Sequence, residues 1–365
     1  MDLRLAARHP LANGKKLTLP EGVFSLSDFA QGDGGVFMHG LMMHTGVYPG
    51  ANIRGIVGSG AGTVIQMVPN SSHFTMTSAQ QNTTPPQYLT TAIWFYQIDN
   101  VEFGNLTLQG TDQPHLYHGL RINGANAYVH HVAFKGAGYG TFNMPPGETY
   151  SLAIAGTNPR IEDCEFDGRR TVGGARVSST VIGVLGCTNA VIRRCYAHDM
   201  LSGFGVVQWQ GAGLTTEDFW VERPGTSTGG YNGAHTNHEM GTGPIRHIRP
   251  HVDLDAYWGP TDGRTRRNLG KFGHFVFLQE TTPSQSNPTA YTDTIITDPV
   301  HDSWGGLVGG FAITRDITTT YPKVVKDGIT LAPVLRPSWW LDTPTIDVDT
   351  QYWVTGTSGN ASVWG

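Results

Sequence analysis

The chain has 365 residues, of which 48 are glycine and 21 are proline; charged residues make up 15% and the formal net charge is -5. That composition excludes a disordered or largely helical chain and points to a turn-rich, mostly β protein. The mildly acidic balance, with no basic stripe, speaks against nucleic acid as a partner. No apolar run approaches the roughly 18 residues a membrane helix needs, so no membrane insertion is expected.

The opening "MDLRLAARHPLANGKK" lacks the apolar core of a secretory signal, so synthesis in a cytoplasm is expected. Residues 1–16 are read as a lead-in or cap. Strand patterns begin at Leu17 with "LTLPEGVFSLSDF" and resume in "GVYPGANIRGIVGSGAGTVIQM". A repeat then takes over. "NVEFGNLTL" from Asn100, "NAYVHHVAF" from Asn126, "NPRIEDCEF" from Asn158 and "NAVIRRCYA" from Asn189 share apolar or thiol side chains at the fourth, seventh and ninth places. Weaker copies follow from Gly213, Thr242 and Asp293, giving steps of 26, 32, 31, 24, 29 and 51 residues. Steps of this length mark a solenoid. Each copy ends in a two-residue alternation, and Gly, Pro, Asn and Thr punctuate the chain, so each coil holds short strands rather than helices.

Stacked in parallel, such coils form an all-β fold, a single-stranded right-handed parallel β-helix over residues 17–316. The leading Asn fits a sharp left-handed bend, and Asn side chains at one bend of successive coils can hydrogen-bond as a ladder. Three cysteines argue against a disulfide scaffold. Cys164 and Cys195 stand at equivalent places one coil apart, which permits either a disulfide or two buried thiols. Residues 317–365 leave the repeat and are read as a non-repeat C-terminal β segment, a cap or subunit contact, with Trp339 and Trp340 as interface or core anchors.

The run Leu19-Pro20-Glu21-Gly22-Val23-Phe24, followed by Ile53 to Ile65, resembles the opening coil of pectate-lyase-like (pectin-lyase-like) β-helix proteins. With the Asn-led repeats the resemblance covers residues 17 to about 315. The long loops and the Gly, Thr and Trp content are most similar to a bacteriophage tail spike or minor tail protein. This likeness implies a homotrimer in the virion tail, with other tail proteins and a host cell-envelope polysaccharide as partners. It carries no catalytic residues over. The Trp-Ile-Asp-His motif of calcium pectate lyases is missing, as is the polygalacturonase set; Gly273-His274 is followed by Phe275.

Any site must therefore come from outward columns, because neighbouring coils place equivalent side chains about 4.8 Å apart. Two stacked carboxylates would then suit a retaining glycosidase, and two coils of separation an inverting one. In the strands before the bend, the early coils read as apolar or small. The column turns polar where Gln208 aligns with Asn237 and Gln210 with Glu239, with Gln279 or Glu280 next. Alternation places His235, Asn237 and Glu239 on one face of "GAHTNHEMG", and Thr236, His238 and Met240 on the other, so the two histidines diverge. The loop over 253–272 adds Tyr257, Trp258 and Arg266 as sugar-contacting candidates. Glu162, Asp163 and Asp167 below Arg193 and Arg194, continued by Glu217 and Asp218, read as a structural charge ladder. No spacing fits a zinc or calcium site, and no cofactor or metal is expected.

Three functions stay open. The first is glycan binding through Gln208, Gln210, Asn237, Tyr257, Trp258 and Arg266. The second is a polysaccharide hydrolase or lyase using Glu239 and Glu280, with His235 or Arg266 assisting. The third is a stiff structural spacer. The aligned column favours binding, because amides outnumber acids on it.

Overall fold

The computed structural model describes residues 3–7, 9–26, 30–31, 37–44, 52–67, 89–110, 118–136, 150–168, 171–172, 175–176, 180–198, 207–222, 233–253, 274–278, 294–297, 309–313, 323–326, 329–331, 334–337 and 360–364. The chain forms two compact units, residues 1–183 and 184–365. Both are built from the coils of a parallel β-helix.

In the first unit a short helix, Leu3–Ala7, and a single 3-10 turn, Pro10–Ala12, precede the strands. Each coil then contributes to three parallel sheets. Sheet 1 stacks Phe37–His44, Leu89–Tyr96, His118–Asn123 and Tyr150–Ala155. Sheet 2 stacks Leu17–Leu19, Gly55–Gly58, the first half of Glu102–Gln109, the first half of Tyr128–Lys135 and Arg160–Glu162. Sheet 3 stacks Gly22–Leu26, Thr63–Met67, the second halves of the same two long strands and Glu165–Asp167.

Two left-handed residues, five apart, turn three successive coils of this unit. Asn100, Asn126 and Asn158 have φ of 57°, 55° and 53°, and Asn105, His131 and Asp163 have φ of 54°, 50° and 54°. The first set forms the expected ladder: Asn126 Nδ2 donates to Asn100 Oδ1 at 3.1 Å, and Asn158 Nδ2 to Asn126 Oδ1 at 3.3 Å. The same pair of bends recurs in the second unit at Asn189 and Arg194, then at Gly213 and Asp218. On the coil after Asn189 the equivalent place is Gly213, which has no side-chain amide to bond; a Cβ there would meet Asn189 Oδ1 at 3.1 Å.

Inward columns supply the core of the first unit. Ile56, Phe103, Val129 and Ile161 share one register in sheet 2, and Ile65, Leu108, Phe134 and Phe166 another in sheet 3. Sheet 1 adds Leu41–Ile93–Leu120–Leu152 and Met43–Phe95–Ile122–Ile154. All are buried. The Phe134 and Phe166 rings lie face to face with centroids 4.8 Å apart, which is the strand spacing itself. Gly55 explains part of the "RGIVG" pattern. Its φ is +144°, and a Cβ there would lie 1.9 Å from the Glu102 carbonyl oxygen.

In the second unit Tyr196–His198, Trp220–Glu222 and His251–Asp253 stack as sheet 3. Val207–Glu217 and Gly233–Ile248 each run through sheets 1 and 2. His274–Leu278 and Gly309–Ile313 continue sheet 1, while Thr294–Thr297 and Lys323–Lys326 continue sheet 2. Antiparallel pairs then close the described chain: Lys323–Lys326 with Ile329–Leu331, and Asn360–Trp364 with both Gly309–Ile313 and Val334–Pro337.

Two repeat steps differ from the sequence reading. Trp220 pairs with His251 and Thr216 with His247, a step of 31 rather than 29; His247 pairs with Ile296, a step of 49 rather than 51. The fourth place of this copy is His247, buried and bonded through Nδ1 to Thr216 Oγ1 at 2.9 Å. An alignment that seeks an apolar residue slides to Ile245 instead. Cys164, Cys187 and Cys195 are buried thiols outside any disulfide.

Two substitutions at one bend separate backbone strain from side-chain bonding. Asn126→Gly keeps access to positive φ and should cost about 1 kcal/mol of unfolding free energy through lost hydrogen bonds. Asn126→Ala adds left-handed strain and should cost about 2–3 kcal/mol. Denaturant titration of both variants checks the order, and equal losses would show that the bend angle does not matter.

Candidate functional site

Sheet 1 of the first unit carries an outward patch. Along it, Met42, Trp94, Arg121 and Ala153 share one register, and His44, Tyr96, Asn123 and Ala155 another. Both columns alternate with the buried leucine, isoleucine and phenylalanine columns, so the core fixes the direction of every member. Trp94 is buried, whereas His44, Tyr96, Arg121 and Asn123 are half-buried.

The contacts lock this patch. Trp94 Nε1 donates to Asn123 Oδ1 at 2.7 Å, and Arg121 Nε donates to the same oxygen at 3.3 Å. The Arg121 guanidinium lies 4.8 Å above the Trp94 ring centre. Tyr96 meets Trp94 edge-on at 5.1 Å, and His44 stacks on Tyr96 at 4.7 Å. Two donors on Oδ1 fix the orientation of the Asn123 amide, which turns its N–H groups away from them. His44 Nδ1 is buried with no hydrogen-bond partner among the described residues. The patch therefore offers a ring, amide donors and a guanidinium on a rigid surface. Its eight register positions contain no Asp or Glu, so the paired acids of a glycosidase are not on these columns.

A second outward ladder lies on sheet 3 of the second unit. Tyr196, Trp220 and His251 share one register. Trp220 is 43% exposed, its ring 3.9 Å from His251 and edge-on to Tyr196 at 6.4 Å. Tyr196 also stacks on His198 at 4.6 Å.

The residues singled out from sequence fare unevenly. Gln208 does share a register with Asn237, as expected. Gln210, however, pairs with Met240 and not with Glu239, because an extra residue enters the Gly233–Ile248 strand between Asn237 and Met240. Such a bulge breaks strict alternation, so the face of Glu239 no longer follows from that of His235 and Asn237. The partner of Asn237 on the next coil is Phe277. The side chains of Gln208, Gln210, His235, Asn237 and Glu239 lie outside the described residues, as do Tyr257, Trp258, Arg266, Gln279 and Glu280 altogether. The early coils are not simply apolar or small, as Tyr96, Arg121 and Asn123 demonstrate. The signal was present in "AIWFYQ" and "HGLRING", whose alternate residues face out.

The charged bends are structural pairs. Arg160 Nη2 donates to Glu162 Oε1 at 2.6 Å within its own strand. Arg249 donates to Asp218 Oδ1 at 2.7 Å and Oδ2 at 2.8 Å, and to Glu217 Oε1 at 2.8 Å, one coil away. Those bonds, above all the one to Asp218, raise the Arg249 guanidinium; the same bond holds the Asp218 carboxyl below its usual 3.8.

These features define a parallel β-helix protein with outward aromatic and amide patches. No family model matches the chain, and no curated protein does. Among solved structures it is similar to the A-module of the mannuronan C-5 epimerase AlgE4 of Azotobacter vinelandii, at 14% identity and a TM-score of 0.38, over 89% of this chain and 91% of that one. The fold assignment rests on the strand registers themselves.

The Asp218 carboxyl is depressed in the folded chain, so its stabilising contribution is present above pH 3.8 and is lost as pH falls through the lower folded value. Exposed pairs of this kind are worth about 0.2–1 kcal/mol. Arg249→Met should therefore lower stability by that amount at pH 7 and by less at pH 2.5, as read by thermal melts at both values.

Proposed function

We propose that this chain binds a cell-envelope polysaccharide through the outward surface of its β-helix, as a bacteriophage tail component that assembles as a homotrimer. The observation that carries the binding reading is the locked patch of His44, Trp94, Tyr96, Arg121 and Asn123. Aromatic rings with fixed polar edges suit sugars, which present apolar ring faces and hydroxyl rims. Preorganisation supports the reading further, because the Trp94–Asn123–Arg121 bonds hold the patch without a ligand and lower the ordering cost of binding. The absence of acids from these columns favours binding over cleavage at this surface. In the second unit, Trp220 and Tyr196 form a separate ring surface of the same chemical kind.

Tyr96→Ala and Arg121→Met should each weaken retention of the purified chain by host-envelope polysaccharide about tenfold, or about 1.4 kcal/mol, with unchanged circular dichroism. Unaltered retention in both would remove this patch as the binding surface. New reducing ends or unsaturated products should not accumulate during incubation. Their appearance, abolished by Glu239→Gln or Glu280→Gln, would replace the binding reading with a depolymerase. Light scattering tests the trimer, and immunogold labelling of phage tails tests the location.

A further inference from the structure

Sheet 2 of the first unit carries a polar cluster that the binding patch does not use. Gly104 shares a register with His130, and a Cβ on Gly104 would lie 2.5 Å from His130 Nε2. The glycine thus leaves room for the His130 ring to lean back one coil, where Nε2 lies 3.2 Å from Glu102 Oε1. On its other side, His130 Nδ1 lies 3.1 Å from His131 Nδ1. His131 sits on the left-handed bend, its side chain 59% exposed, with Nε2 at 4.0 Å from Asp163 Oδ2 on the following coil. Tyr128 stacks on His130 at 4.4 Å, and the Arg160 guanidinium, bonded to Glu162, lies 5.0 Å over the Tyr128 ring.

Counting protons leaves little choice of tautomer. The hydrogen bond from Lys16 holds the Glu102 carboxyl below its ordinary value, so it is ionised and accepts. His130 must then carry its proton on Nε2. With that ring neutral, His130 Nδ1 is a lone pair, and the neighbouring Nδ1 of His131 must donate to it. The exposed Nε2 of His131 is left as a lone pair beside Asp163.

We infer that Glu102, His130 and His131 form a proton-transfer relay whose exposed end, His131 Nε2, is a general base for a hydroxyl or water. When Nε2 takes such a proton, the new N–H faces the Asp163 carboxylate. The proton between the two Nδ1 atoms can then sit on either ring, so the added charge is shared between imidazoles flanked by carboxylates at both ends. The hydroxyl or water oxygen gives this proton to Nε2 as it bonds to an electrophilic carbon such as an ester carbonyl, whose alcohol or phenol then departs; no oxidant, metal or cofactor enters the step. Glu102 and His130 are positioning residues; only His131 meets the solute. This site is independent of the glycan patch.

Long-range nitrogen–proton NMR on the full chain labelled at histidine reads the tautomers directly. At a pH where both rings are neutral, His130 should be protonated on Nε2 and His131 on Nδ1. Glu102→Leu should release that constraint and return His131 to the Nε2–H form preferred by free imidazole. A wild-type His131 already in the Nε2–H form would overturn the relay. Hydrolysis of p-nitrophenyl acetate, compared in light and heavy water, reads the transfer itself: a general base slows in heavy water, and direct attack by an imidazole nitrogen does not. His131→Gln should lose the general-base rate, and Glu102→Leu part of it, whereas His9→Gln, at the exposed cap of the 3-10 turn, should keep it. Equal rates for wild type and His131→Gln, with unchanged melting temperatures, would overturn the general-base role.

Discussion

Two left-handed residues, five positions apart in each of five coils, are the constraint from which the rest of the structure follows. An L-residue in this conformation costs about 1–2 kcal/mol. The cost is offset because the bend brings backbone groups of neighbouring coils into register: Asn100 N–H reaches the Ala125 carbonyl, Asn126 N–H the Thr157 carbonyl and Arg194 N–H the Glu217 carbonyl. The first bend adds an amide ladder. The second accepts chemically unlike residues, Asn105, His131, Asp163, Arg194, Asp218 and Arg249, because the coil on either side holds it.

That same second bend distributes charge. Its side chains stand on the outer corner of the coil, where residues of neighbouring coils meet. His131 faces Asp163 in the first unit, and Arg249 grips Asp218 in the second. Positions chosen for backbone geometry thus become ion-pair and proton-relay positions. Inside the coils, polar groups are tolerated where they pair: Thr91 Oγ1 lies 3.3 Å from His118 Nδ1, and Thr216 Oγ1 lies 2.9 Å from His247 Nδ1. Buried hydroxyl–imidazole pairs keep the stacking geometry while satisfying their hydrogen bonds.

The outward surface is set by the inward one. Ile93 and Phe95 bury themselves, so Trp94 and Tyr96 face out; Leu120 and Ile122 do the same for Arg121 and Asn123. The outward patch of His44, Trp94, Tyr96, Arg121 and Asn123, assembled from three coils, therefore needs no long loop to position it. Where a bulge interrupts alternation, as between Asn237 and Met240, that inheritance fails and the face of Glu239 becomes a separate question.

The coil repeat, the Asn ladder and most core columns were legible in the sequence, because Asn has few reasons to recur at one place other than a left-handed bend. The inward sites of Phe103, Val129 and Ile161 followed from spacing alone. The His247 register was not legible, since a polar residue in a core column is recognisable only once Thr216 is seen beside it. Nor was the second bend, because His, Arg and Asp carry no local preference strong enough to announce it. The patch around Trp94 and the relay at His131 join residues from coils 27 to 86 positions apart. Where alternation is unbroken, residue order alone determines which side chains face out, whatever the lengths of the intervening loops; only the stacking of coils decides where a bulge breaks it and which outward side chains touch.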